Sequence, residues 1–282
     1  MTRLSLTLVI VSRWVRHCAC PLLLLGLLAA LPARPAATLP AGPAADLPLP
    51  ALLERIGQQV EKFWQYFSSV TCTEALTQSK IGEKGKALFE QRETFDYLII
   101  LQASGMDLAV DESRIEKTHK ASKGNASLLD TNGFSIFTLI FHPLYQARYQ
   151  FQRLPDETET GRRLLRIGFQ QIAQDHPLSV LLLREHEYPL LWKGSAWIDP
   201  ESLAVVRIQA GLGNSMTDTG LLRLDADVTY SDVHFNESTA YWLPARAVIE
   251  AETKRQHWRN VHLFTNYRRF EVETDVRTAT PQ

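Results

Sequence analysis

The chain has 282 residues, 45% of them hydrophobic and 22% charged, with 30 Lys and Arg set against 31 Asp and Glu. That is the composition of a globular protein, and it excludes a mostly disordered or collagen-like chain. A charge so close to balance also argues against nucleic acid as a partner.

At the N-terminus Arg3, Arg13, Arg16 and His17 precede the 11-residue apolar run Pro21–Leu31. A basic segment followed by a short apolar one has the order of a secretory signal peptide, and the run falls short of the roughly 20 residues that cross a bilayer. The earlier apolar stretch from Leu4 to Val11 makes the basic segment long, which fits a start codon downstream of Met1. Residues 1–33 are assigned to the leader, with cleavage near Ala33, so the mature form is expected in the periplasm or secreted, with no permanent membrane span. Cleavage removes three Arg and no acid, leaving 27 basic against 31 acidic residues, a formal charge of −4. Cys18 and Cys20 leave with the leader, so the mature chain keeps Cys72 alone and forms no internal disulfide. With no His motif nearby to activate it, Cys72 reads as a half-buried small hydrophobe.

Residues 34–50 carry Pro35, Pro40, Pro43, Pro48 and Pro50 among alanines and read as an extended tether. From Leu52 the pattern becomes helical, with Leu52, Ile56, Val60, Phe63 and Phe67 on one face. The period then falls to two. Phe95, Tyr97, Ile99 and Leu101 share one strand face; so do Leu165, Ile167 and Phe169, and again Leu222, Leu224, Ala226, Val228 and Tyr230. Turn clusters at 82–85, 104–105, 155–161, 199–202 and 211–220 separate these runs. A short aromatic helix is predicted over 134–142, opened by Asp130-Thr131-Asn132 and stopped at Pro143. The absence of a second linker gives one domain over 51–276 and a flexible tail over 277–282.

The fold class that follows is mostly β: a strongly curved antiparallel sheet or unclosed half-barrel of roughly ten strands, with two or three helices over its concave side. So many strands accumulate too much twist to lie flat. Trp192, Tyr230, Trp242 and Trp258 fall on the strands and either line a cavity or form the sheet core. Phe134, Phe137 and Phe141 would face the same space, the 134–142 helix acting as a mobile lid. Arg259, between Trp258 and Asn260, is either an anion clamp at the cavity mouth or a surface guanidinium.

Three segments resemble the periplasmic lipoprotein-carrier superfamily, which includes the outer-membrane lipoprotein sorting proteins. The opening helix runs straight into the strand Ser69-Val70-Thr71-Cys72-Thr73-Glu74. Gly194-Ser195-Ala196-Trp197-Ile198-Asp199-Pro200-Glu201 leads through an Asp-Pro turn to Val205-Val206-Arg207-Ile208, and Trp242-Leu243-Pro244 opens a late strand. The resemblance covers about half of the chain loosely; Ile140-Phe141-His142-Pro143 and His257-Trp258-Arg259-Asn260 match no motif of that group and point to a separate exported bacterial branch. It implies an unclosed barrel around a cavity that takes an acyl chain or an acylated lipoprotein.

Motifs for other chemistry are missing. His186-Glu187-Tyr188-Pro189 lacks the second His of a zinc-protease helix, and Pro189 breaks such a helix. His257 and His262, five apart, fall on opposite strand faces. There is no Ser elbow and no phosphate-cradling Gly loop, and Asp225 and Asp227 alternate onto the wet face. The chain therefore reads as a non-enzymatic binding or carrier protein for a hydrophobic ligand, without a cofactor or metal. The alternatives are a ligand-free envelope interaction or sensor domain and, more remotely, an enzyme acting on a cell-envelope polymer.

Overall fold

The computed structural model describes residues 4–7, 46–67, 70–104, 107–117, 129–173, 178–183, 186–235 and 240–269. The rest of the leader, residues 34–45 of the tether and the tail over 277–282 lie outside them. In chain order the elements are β1 (Leu4–Thr7), α1 (Leu49–Phe67), β2 (Val70–Ile81), β3 (Ala87–Ser104), β4 (Asp107–Glu116), β5 (Leu129–Asn132), a 3-10 helix (Phe134–Phe141) and α2 (Pro143–Gln146). There follow β6 (Tyr149–Glu159), β7 (Arg162–Gln171), β8 (Val180–Leu183), β9 (His186–Pro189), β10 (Trp192–Ile198), β11 (Val205–Leu212), β12 (Leu221–His234), β13 (Ala240–Thr253) and β14 (His257–Arg269).

Ten strands form one antiparallel sheet in the order β4-β3-β2-β14-β13-β12-β11-β10-β7-β6, and its two edge strands do not pair, so the half-barrel is unclosed. The chain writes this sheet from both edges toward the middle. After the β2-β3-β4 meander it crosses by way of β5, the 3-10 helix and α2 to the far edge at β6 and β7, detours through β8 and β9 of a second sheet, and returns from β10 by hairpins until β14 zips onto β2. A small second sheet, β5-β1-β8-β9, stands beside it. Its strand β1 comes from within residues 1–33, the segment assigned to the leader.

Alternation fixes which face is inside. Leu165, Ile167 and Phe169 are buried as their spacing predicts, as are Leu224, Ala226, Val228 and Tyr230. Leu222 is exposed instead, because the β12–β13 register shifts between Leu221 and Arg223 and turns Leu221 inward. A second shift lies where Tyr230 faces Pro244, a residue with no N–H to give a ladder, and a third lies in β14 between Thr265 and Arg268, where Asn266 has φ 54°. Such bulges bend the strands and raise the local twist. At Gly194 a Cβ would lie 2.0 Å from the Gln209 carbonyl oxygen, so the β10–β11 approach requires glycine there.

α1 begins at Leu49, with Pro50 accommodated in its first turn, and buries Leu52, Ile56, Val60, Trp64 and Phe67. Trp64 takes the core position the spacing assigned to Phe63, which is only half-buried and faces a pocket. The predicted 134–142 helix is a 3-10 helix followed by the short α2. Every residue from Phe134 to Phe141 is buried, Ser135 and Thr138 included, so the segment expected as a mobile lid is packed against the core. Cys72 is also fully rather than half buried, and burial pushes its thiol up to about 12.

Candidate functional site

The concave side is filled by aromatic rings. Gly133, at φ 80°, makes the turn that starts the 3-10 helix, and its N–H donates to Glu112 Oε2 at 2.8 Å. Phe134 and Phe137 meet Trp192 edge-on at 6.1 and 5.3 Å, and the indole N–H of Trp192 donates to Ser179 Oγ at 2.9 Å. Phe141 stacks near Phe151 at 5.3 Å, and the Thr138 N–H donates to the hydroxyl of Tyr230 at 3.2 Å. Phe134, Phe137, Phe141, Trp192 and Tyr230 are thus brought together as mutually packed core. Trp258 is buried on the inner face of β14.

An unfilled space remains at the edge of this core, between α1 and the start of β13. It has a volume of about 280 Å³ and is walled by Val60, Phe63, Tyr66, Tyr241, Trp242 and Leu243, with the β10–β11 turn at Ala204 closing one side. Phe63 stands edge-on to Tyr230 at 6.1 Å, and Tyr66 to Tyr241 at 4.5 Å, so the walls are fixed by aromatic contacts. The Arg162 guanidinium lies 5.7 Å over the Trp242 ring. Lys62 stands exposed at the rim, and Thr138, whose buried hydroxyl has no hydrogen-bond partner among the described residues, is at the floor. The pocket is largely apolar, with the Thr138 hydroxyl as a polar point and Lys62 as a charge among its lining residues. Of the eight predicted ligand residues only Trp242 is part of its wall.

Arg259 lies on the other side of the sheet. It is 46% exposed and pairs with Glu250 at 3.3 Å along a shallow groove of about 590 Å³ on the water-facing side. Alternation carries it there, since Trp258 and Asn260 on either side point inward. Several of its charges are matched: Arg223 pairs with Asp225 at 2.5 Å and Glu250 at 3.0 Å, and Arg207 grips Asp227 with two bonds of 2.9 and 2.6 Å.

A buried charge network, not anticipated from spacing, joins the two sheets. Glu74 on β2 has no exposed side-chain surface; it accepts from Arg114 Nε at 2.5 Å and Nη2 at 3.0 Å and is 2.6 Å from His262 Nδ1. His262 Nε2 is 2.8 Å from Thr131 Oγ1 on β5, which also accepts from Asn260 Nδ2 at 2.9 Å. Burial works against the Glu74 charge, but the hydrogen bonds from His262 and Arg114 outweigh it and hold the carboxyl below the usual carboxylate range. Carboxylate, imidazole and hydroxyl follow one another at hydrogen-bond distances, Thr131 is 3% exposed, and it lines neither of the two pockets. Its evident work is to clamp β5 to the large sheet. The signal was present in the pattern: Glu74 falls between Cys72 and Leu76, and His262 between Asn260 and Phe264, on inward faces.

No set of three or more His, Cys, Asp or Glu with metal-holding geometry occurs among the described residues, and none of their helices is long and apolar enough to cross a membrane. Among known proteins, no family profile and no curated sequence matches the chain. Solved structures similar to it include a LolA superfamily protein from Nitrosomonas europaea, 11% identical, TM-score 0.38, with 78% of this chain and 94% of that one covered. A domain from Vibrio parahaemolyticus described as outer membrane lipoprotein-sorting is 12% identical, TM-score 0.39, covering 77% and 91%. A DUF1329 family protein from Desulfovibrio piger is 12% identical, TM-score 0.36, covering 80% and 95%. The class this fold defines is an unclosed antiparallel half-barrel with helices packed over one side.

Proposed function

We propose that this chain is an exported, non-enzymatic carrier that holds the apolar chain of a lipid or acylated polypeptide in the pocket between α1 and β13. The observation that carries the reading is the pocket itself, a largely apolar space between α1 and β13. Each methylene withdrawn from water there contributes about 0.8 kcal/mol, while Lys62 at the rim favours an anionic headgroup. Native mass spectrometry of the exported protein, before and after solvent extraction, tests this. A lipid mass lost on extraction is expected, and Ala204→Trp, which fills the pocket from the turn, should lower retention tenfold or more with the fold intact. Equal retention by the variant would sink the pocket assignment.

One observation favours a second reading, a ligand-free envelope interaction or sensor domain. The segment Phe134–Phe141 occupies the interior that an acyl chain would otherwise fill. A hydrophobic dye separates the two, since the native protein should bind it under the first reading and not under the second.

A further inference from the structure

The small sheet is completed by a strand of the segment assigned to the leader. β1 runs parallel to β5, with Leu4 opposite Leu129 and Leu6 opposite Thr131, and antiparallel to β8, with Leu4 opposite Leu183 and Leu6 opposite Leu181. If residues 1–33 are removed on export, β5 and β8 are left two strand spacings apart, about 9.5 Å. That is too far to pair with each other and leaves one strand's width between them. The backbone groups of each that paired with β1 then face the gap.

Both rails of that gap are tied down independently of β1. The carbonyl of Leu129 accepts from Gln78 Nε2 at 2.8 Å and Asn260 Nδ2 at 2.7 Å; Thr131 is held by His262 and Asn260, and Asn132 accepts from Arg114. On the other side β8 pairs with β9, and the preceding Ser179 accepts from the Trp192 indole and, through its carbonyl, from the Leu190 N–H at 2.9 Å. Loss of β1 therefore leaves a preformed slot.

We propose that the mature protein receives an extended segment of another polypeptide in this slot, by strand addition parallel to β5. Leu129, Thr131 and Leu181 are buried, whereas Asp130 is half-buried and Leu182 exposed. The occupant must therefore carry apolar side chains at the two positions in register with Leu129 and Thr131, tolerate polar ones between them, and contain no proline. Leu4-Ser5-Leu6-Thr7 has that pattern and shows the length, direction and register.

The inference rests on leader removal, not on the lipid pocket, and the test separates the two. The intact mass of the exported protein fixes its N-terminus. A labelled peptide copying residues 3–13 should then bind it saturably, weakened tenfold or more by Leu6→Asp in the peptide. A peptide with cysteine in place of Ser5 should form a disulfide with the Asp130→Cys protein under mild oxidation, and one with cysteine in place of Ile10 should not. Retention of residues 4–7 in the exported protein overturns the proposal, because the slot is then permanently filled. So does a cleaved protein that ignores the peptide or crosslinks without regard to register. A cleaved protein that dimerises through β5 and β8 overturns it in favour of a second copy of this chain.

Discussion

Glu74 and His262 are titratable groups buried out of reach of water, and the partly buried Arg114 pairs with Glu74 from the side. A buried ion pair contributes little beyond a well-packed apolar substitute, but removing one member strands the others. Glu74→Gln should therefore destabilise the fold by about 3 to 5 kcal/mol, read as a drop in the chemical denaturation midpoint. His142 is a second buried titratable group, at the start of α2. Its Nδ1 accepts from the Leu144 N–H to cap α2, and burial is the main cause that lowers its pKa below the ordinary histidine value. A depressed histidine favours the neutral folded form, so its stabilisation is complete above the unfolded pKa of about 6.5 and is lost as pH falls through the folded one. The lowered Glu74 carboxyl adds loss in the same direction at more acidic pH. The unfolding midpoint should fall between pH 7.5 and 5.5, and His142→Asn, which keeps a capping acceptor without the titration, should flatten that fall.

At the scale of elements, the 3-10 helix shows how far a pattern carries. Phe134, Phe137, Ile140 and Phe141 announce an aromatic segment, and the segment exists, but aromatic spacing does not say whether rings face a ligand or one another. Contacts to Trp192, Phe151 and Tyr230 decide that, and they come from strands distant in sequence. Phe137→Ala should thus lower stability by about 3 to 5 kcal/mol, measured by denaturant unfolding, where a lid residue would change ligand retention alone. The strands themselves were legible because alternation is local: Leu165, Ile167 and Phe169 needed no partner to be placed. Leu222 was not, since a bulge is a property of two strands and not of one. The pocket was least legible, because its walls come from α1 and β13, joined by no spacing rule; Trp242 was found only as one aromatic among several.

At the scale of the molecule, the curved sheet with helices inside it followed from strand count and twist, while the small sheet and its borrowed strand had no signature. The pairing of β14 with β2 has a further consequence. It brings together residues as far apart in sequence as Glu74 and His262, 188 positions, and it lies in the middle of the strand order. Closing so long a loop is entropically slow. Strand β2 must then wait, with that edge bare, for β14 to arrive. A chain ending at Thr253 should remain protease-sensitive and lack cooperative melting by circular dichroism, while one ending at Arg269 should show both resistance and a sharp transition. The two halves of the sheet would therefore stay undocked until the last strand is made, so that the fold is acquired as a whole and not piece by piece.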